Sequence, residues 1–153
     1  MRLKQDQQCF TCEHCGSIQV PPANEDGIRV FDVPGTSSCP ICICALVYAS
    51  TAGERILFCK TCHGMLISMA VFQEVILDLK GRRENVGYIA PPFESRDLDR
   101  RIACPQCSRP MVTHLYGGGG NVVIDNCERC GVNWLDYGEL DRIVRAPDQT
   151  YAG

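Results

Sequence analysis

Eight of the twelve cysteines in this 153-residue chain stand in four C-x2-C pairs: Cys39/Cys42, Cys59/Cys62, Cys104/Cys107 and Cys127/Cys130. No other feature limits the possible folds as much. A C-x2-C pair in a tight turn points both sulfurs at one ion. Two such turns facing each other supply four thiolates in a tetrahedron, the arrangement that suits zinc. A disulfide framework would need an oxidising compartment. The chain begins MRLKQDQQ, without the apolar stretch of a signal peptide, so reduced thiols and a cytoplasmic location are expected. The longest apolar run, residues 65–72 with one polar break, is too short to span a bilayer, and no membrane partner is expected. A thioredoxin-like redox pair would need one C-x2-C opening a helix after a strand, not four in facing pairs.

The pairs also repeat. Residues 39–76 can be laid on 104–144, with Cys39-Pro40-Ile41-Cys42 on Cys104-Pro105-Gln106-Cys107 and Cys62 on Cys130. Leu66 then falls on Trp134, Ile67 on Leu135 and Phe72 on Leu140. The two pairs are separated by 16 residues in the first copy and by 19 in the second. Strand-like stretches fill these gaps: 46–49 and 55–58 around an Ala52-Gly53 turn, then 111–116 and 121–125 around the glycine run 117–120. That run lacks a following Gly-Lys-Ser/Thr, so it reads as a hairpin turn and not as a phosphate cradle. After its last cysteine each copy turns helical. Ser68 caps the first helix, whose Met69, Phe72, Ile76 and Leu79 recur at helical spacing. Asp136 and Glu139 form a capping box ahead of Leu140, Ile143 and Val144. Gly64 and Gly131, just past the second knuckles, are expected to supply positive φ.

The expected fold is a small metal-stabilised α+β protein of tandem zinc ribbons, β-hairpin knuckles each followed by a short helix. Halves of about 40 residues rarely hold together on a hydrophobic core alone, and metal is the natural staple. The expected units are an incomplete N-terminal ribbon or knuckle (1–38), a first ribbon with its helix (39–79), a linker ending in a short polar helix (80–103), a second ribbon with its helix (104–146) and a loose tail (147–153). Arg82-Arg83 and Arg100-Arg101 are interleaved with Glu84, Asp97 and Asp99, which reads as a solvated linker.

The second copy runs Cys104-Pro105-x-Cys107, then Cys127-x-x-Cys130-Gly131-x-x-Trp134-Leu135-Asp136-x-Gly138-Glu139-Leu140. It resembles the transcription factor IIB-type zinc-ribbon family of small, mainly bacterial proteins, down to the hallmark tail Trp-Leu-Asp-x-Gly-Glu-Leu. The first copy has Leu66-Ile67-Ser68 where that tail begins, but keeps the ligand pattern. The resemblance implies zinc binding in both copies, a zinc-ribbon fold and a link to transcription, the last being an analogy of fold.

Two zinc ions are therefore expected, at Cys39, Cys42, Cys59 and Cys62 and at Cys104, Cys107, Cys127 and Cys130. Cys44 is assigned no metal. Cys9, Cys12 and Cys15 form a possible partial third site: C-x2-C followed by Gly16 has the form of a second knuckle, while only eight residues precede Cys9. A weak or empty site, or a start assigned too late, is expected there. His63 reads as a solvent-facing knuckle residue. Trp134 packs over the ribbon or anchors a partner. The helix after Cys62 carries more apolar surface than one ribbon covers, which makes Met69, Phe72 and Ile76 candidate partner contacts.

Four thiolates leave no open coordination position, so the metal role is structural and the protein is expected to be non-catalytic. Its expected function is that of a protein-interaction module. Two alternatives stay open: direct nucleic-acid binding through a ribbon edge, and a rubredoxin-like electron carrier if the sites take iron. Charge disfavours the former. The formal net charge is −3, and two four-thiolate zinc sites bring it to about −7, whereas phosphate-backbone binding is driven by Lys and Arg.

Overall fold

The described residues form ten strands, two α-helices and one 3-10 turn, in the order three strands, four strands, helix, 3-10 turn, three strands, helix. The computed structural model describes residues 22–24, 27–82, 88–117 and 119–146, together with the backbone of 2–4, 9–11 and 18–19. Cys12, Cys15, Arg83, Glu84, Gly118 and the tail 147–153 lie outside the described residues, as does the side chain of Cys9.

At the front, β1 (Arg2–Lys4), β2 (Cys9–Thr11) and β3 (Ile18–Gln19) form an antiparallel sheet. Thr11 pairs with Ile18 across the Cys12/Cys15 segment. The rest of the chain builds a seven-stranded sheet. Its strands are β4 (Ile28–Ser38), β5 (Ala45–Thr51), β6 (Glu54–Phe58), β7 (Met65–Ser68), β8 (Val112–Leu115), β9 (Val123–Cys127) and β10 (Val132–Leu135), in the order β4-β5-β6-β7-β10-β9-β8. The stretch expected to be an incomplete N-terminal unit thus contributes the edge strand β4 to the main sheet. Pro34 is tolerated there because an edge strand has a free side and because the β4–β5 register shifts around it.

The expected hairpins are present. Ala52 and Gly53 both have positive φ (51° and 78°), the conformation of a two-residue turn that matches strand twist. What periodicity missed is a third strand in each copy. Each copy is expected to turn helical after its last cysteine, but residues 65–68 and 132–135 come first as strands β7 and β10. Both are short and almost wholly buried, and four residues, three of them apolar, covered on both faces show no period by which to tell strand from helix.

These two missed strands join the copies. β7 pairs with β10 antiparallel, and Leu66 faces Trp134 directly. Since Leu66 and Trp134 are also each other's equivalents in the repeat, a pseudo-two-fold axis passes through this pair. The two ribbons are fused edge to edge about it.

Alternation along the strands divides the core into two layers. Val47, Ile56, Phe58, Met65, Ile67, Ile124 and Leu135 face the helices α1 (Met69–Gly81) and α2 (Glu139–Arg145). Leu46, Leu66, Val132, Trp134 and the first cysteine of each knuckle form the other cluster, with Ile102 and Met111. Ser68 caps α1 as expected, its hydroxyl accepting from the Ala70 N–H at 3.2 Å. Phe72, Val75, Ile76 and Leu79 turn inward. Tyr116 of the second copy stacks on Phe72, with ring centroids 5.7 Å apart, and Lys80 donates to the Ala146 carbonyl at the end of α2. The second copy thus covers part of the surplus apolar surface of α1, while Met69 and Leu77 stay exposed. The expected polar helix of the linker is a 3-10 turn, Ser95–Asp99.

Candidate metal centres

All four C-x2-C pairs adopt one turn. The N–H of the residue after the second cysteine donates to the carbonyl of the first: Ile43 to Cys39 (3.0 Å), His63 to Cys59, Ser108 to Cys104 and Gly131 to Cys127 (2.8 Å each). Each of those four residues has positive φ, from 62° to 67°. Gly131 fills this position as expected. Gly64 does not, since His63 takes the left-handed conformation one residue earlier. The reason for Gly64 is space: a Cβ there would lie 2.3 Å from Cζ2 of Trp134, whose indole rests on the glycine.

The turns bring the sulfurs together in two groups, Cys39/Cys42/Cys59/Cys62 and Cys104/Cys107/Cys127/Cys130, with all Sγ atoms of a group within 4.8 Å of one another. Cys39 and Cys62 Sγ are 3.7 Å apart, as are Cys107 and Cys127. Sulfurs bound at about 2.3 Å around a tetrahedral zinc lie about 3.8 Å from each other, so the donor set fits that ion. In each group the first cysteine of a knuckle is buried and the second half-exposed. Backbone N–H groups of Ile41 and Cys42 point at Cys39 Sγ (3.4 and 3.3 Å), that of Cys62 at Cys59 (3.4 Å) and that of Gln106 at Cys104 (3.4 Å). Such donors favour the thiolate over the thiol. Burial raises Cys59, but the N–H groups of Cys62 and Thr61 with the Cys44 and Cys62 thiols bring it down to about 6. The Arg109 N–H helps hold Cys107 at about 7, while burial pushes Cys130 up to about 12.

Cys44 is nearer the first centre than its spacing suggested. Its sulfur is 3.4 Å from Cys59 Sγ and 3.8 Å from Thr61 Oγ1. The corresponding residue of the second copy is Arg109: the N–H of Cys39 donates to the Cys44 carbonyl just as that of Cys104 donates to Arg109, both at 2.8 Å.

The hallmark tail has a structural reason. Trp134 is 0% exposed, and its indole N–H donates to Asp136 Oδ1 at 3.2 Å. Asp136 Oδ2 and the fully buried Asp125 each take a bond from Arg100 Nη2, at 2.7 Å, and Thr113 Oγ1 donates to Asp125 at 2.6 Å. Glu139 returns to accept the Asp136 N–H at 2.6 Å. The expected capping box is half realised: Glu139 plays its part, but the Asp136 carboxylate holds Trp134 and Arg100, and Gly138 is the helix cap. Arg100, read as solvated linker, is the cation of this network. Sequence spacing could not pair it with residues 25 and 36 positions away.

The proposed partner contacts mostly turn inward. Phe72 (2% exposed), Ile76 (3%) and Trp134 are buried within the chain, and of the four only Met69, at 41%, presents surface. His63 is exposed, with edge contacts to Phe58 and to Tyr137 of the second copy. No helix among the described residues is long and apolar enough to cross a membrane.

Fold and sites together define a small α+β protein with two four-cysteine centres, consistent with tandem zinc ribbons. Residues 103–146 match the family model of transcription factor zinc-fingers, the transcription factor IIB-type zinc ribbon. No curated protein and no solved structure matches the chain.

Proposed function

We propose that this protein is a non-catalytic zinc protein whose fused ribbons present a surface to a protein partner, with a link to transcription through the family of its second ribbon. Zinc at both centres is supported by the sulfur geometry, and a structural role by four thiolates that leave no coordination position for substrate. The observation that carries the interaction reading is Ile43. This β-branched residue sits at φ 64°, a conformation that costs on the order of 1–3 kcal/mol outside glycine. Its side chain is 75% exposed, so little burial offsets that cost. Ile41, on the same knuckle, is exposed as well. An apolar side chain that is both strained and exposed serves contact with something else. Binding of nucleic acid is disfavoured by the net charge.

Metal analysis of the purified full chain should give two zinc ions and no visible absorption; an iron spectrum would reinstate the electron carrier. A third tightly held ion would place metal at Cys9, Cys12 and Cys15. Random duplex DNA should bind weakly near physiological salt, and sub-micromolar affinity with a steep salt slope would replace the protein partner by nucleic acid. Cross-linking in cells should return protein partners that an Ile41→Glu/Ile43→Glu variant loses while keeping both ions.

A further inference from the structure

The first centre holds five sulfurs where four complete a tetrahedron. Cys44 Sγ lies outside the four-sulfur group yet 3.4 Å from Cys59 Sγ, in van der Waals contact with a ligand. Among the described residues the second centre has no such neighbour, because Arg109 occupies the equivalent backbone position. The contrast is internal to one molecule: same knuckles, same fold, one extra thiol. Cys44 is also half-exposed, so a small solute reaches it, whereas Cys59 is buried.

We propose that Cys44 is the site at which a hydroperoxide acts on this protein, closing a Cys44–Cys59 disulfide that discharges the zinc of the first ribbon and spares the second. The inference rests on zinc occupying the first centre. In the first step the Cys44 sulfur attacks one peroxide oxygen and the O–O bond breaks. Cys44 becomes a sulfenic acid, and its thiol proton leaves with the other oxygen as water when the peroxide is hydrogen peroxide. In the second step the zinc-bound Cys59 sulfur attacks Cys44 sulfur. The S–S bond forms, the S–O bond breaks, and the hydroxide takes a proton from solvent to leave as water. Two electrons pass from the two sulfurs to the peroxide. The zinc then has three sulfurs left, and the knuckle that Cys59 anchors loses its buried ligand. A dithiol reductant reverses the change. Since β6, β7 and the helix α1 stand on that knuckle, oxidation loosens the first ribbon next to Ile41 and Ile43.

The test treats the zinc-loaded full chain with hydrogen peroxide, follows released zinc with a chromogenic chelator and maps disulfides by mass spectrometry of its peptides. The expected result is one equivalent released several-fold faster than the next, a Cys44–Cys59 disulfide appearing in step with it, and recovery on reduction. Cys44→Ala should bind the same amount of zinc and lose the fast phase. Equal release from Cys44→Ala, or disulfides joining other sulfurs in the fast phase, would overturn the proposal while leaving the zinc reading intact. Loss of zinc from Cys44→Ala without oxidant would also overturn it, by making Cys44 a ligand. A chain that binds no zinc at all would overturn both.

Discussion

The two ribbons share their knuckles, their three-strand pattern and their sheet, yet they are held together by different chemistry. The second ribbon relies on Trp134 and on a polar network, Arg100 with Asp125 and Asp136, and follows it with a helix of 7 residues. The first has an extra edge strand and a helix of 13 residues with an apolar face. The pseudo-two-fold axis accounts for part of the difference. Trp134 occupies room above Gly64. A tryptophan in place of Leu66 would need the same room above the repeat equivalent of Gly64, which is Val132. One large side chain fits across the axis, and the hallmark therefore survives in one copy only. What this teaches is that fusing two copies relaxes the demands on one of them.

The strongest challenge to the comparison is removal of what the ribbons share. A chelator that strips both centres should abolish the fold of both, because each structural zinc contributes on the order of 10 kcal/mol before the cost of ordering the chain. Far-UV circular dichroism unchanged after complete metal removal would end the structural-zinc reading. Next in size is the network of the second ribbon. Arg100→Leu leaves Asp125 fully buried without its cation and should cost about 3 kcal/mol, the lower end for a broken buried pair because Arg100 is partly exposed. Urea unfolding measures it; a cost below about 1 kcal/mol would make the network ornamental.

The axis itself is probed by Gly64→Ala. The added methyl meets the indole and should cost about 1–3 kcal/mol. In the Trp134→Leu background the same substitution should cost much less, and a double-mutant cycle that sums without coupling would show that Trp134 and Gly64 do not meet. The last test concerns Glu139. Burial, more than the nearby Asp136 charge, raises its carboxyl from 4.5 to about 8. A raised carboxyl contributes stability that is complete below its unfolded pKa and is lost as pH climbs through its folded one, here between 4.5 and about 8. Glu139→Gln should therefore gain in Tm relative to the parent on going from about pH 6 to about pH 8.5. A constant difference between the two proteins would show that Glu139 is ionised throughout.

Cysteine spacing and the repeat were enough to group the eight cysteines and to place the hairpins and both helices, because knuckle geometry and turn conformation depend on residues a few positions apart. The Ser68 cap and the Ala52-Gly53 turn are local in the same way. Residues whose role depends on what lies across the sheet could not be read so. Trp134 offered two roles until the fold buried it, Arg100 looked solvated until Asp125 and Asp136 came beside it, and nothing in the spacing of Cys44 showed that β5 and β6 carry it against Cys59. Strands β7 and β10 carry no visible period because both their faces are covered, and it is their pairing, a contact between residues 66 and 134, that turns two modules into one sheet. Metal chemistry is written in short distances along the chain; how the copies meet is a matter of which surfaces find each other in space, and no run of sequence holds both sides of that contact.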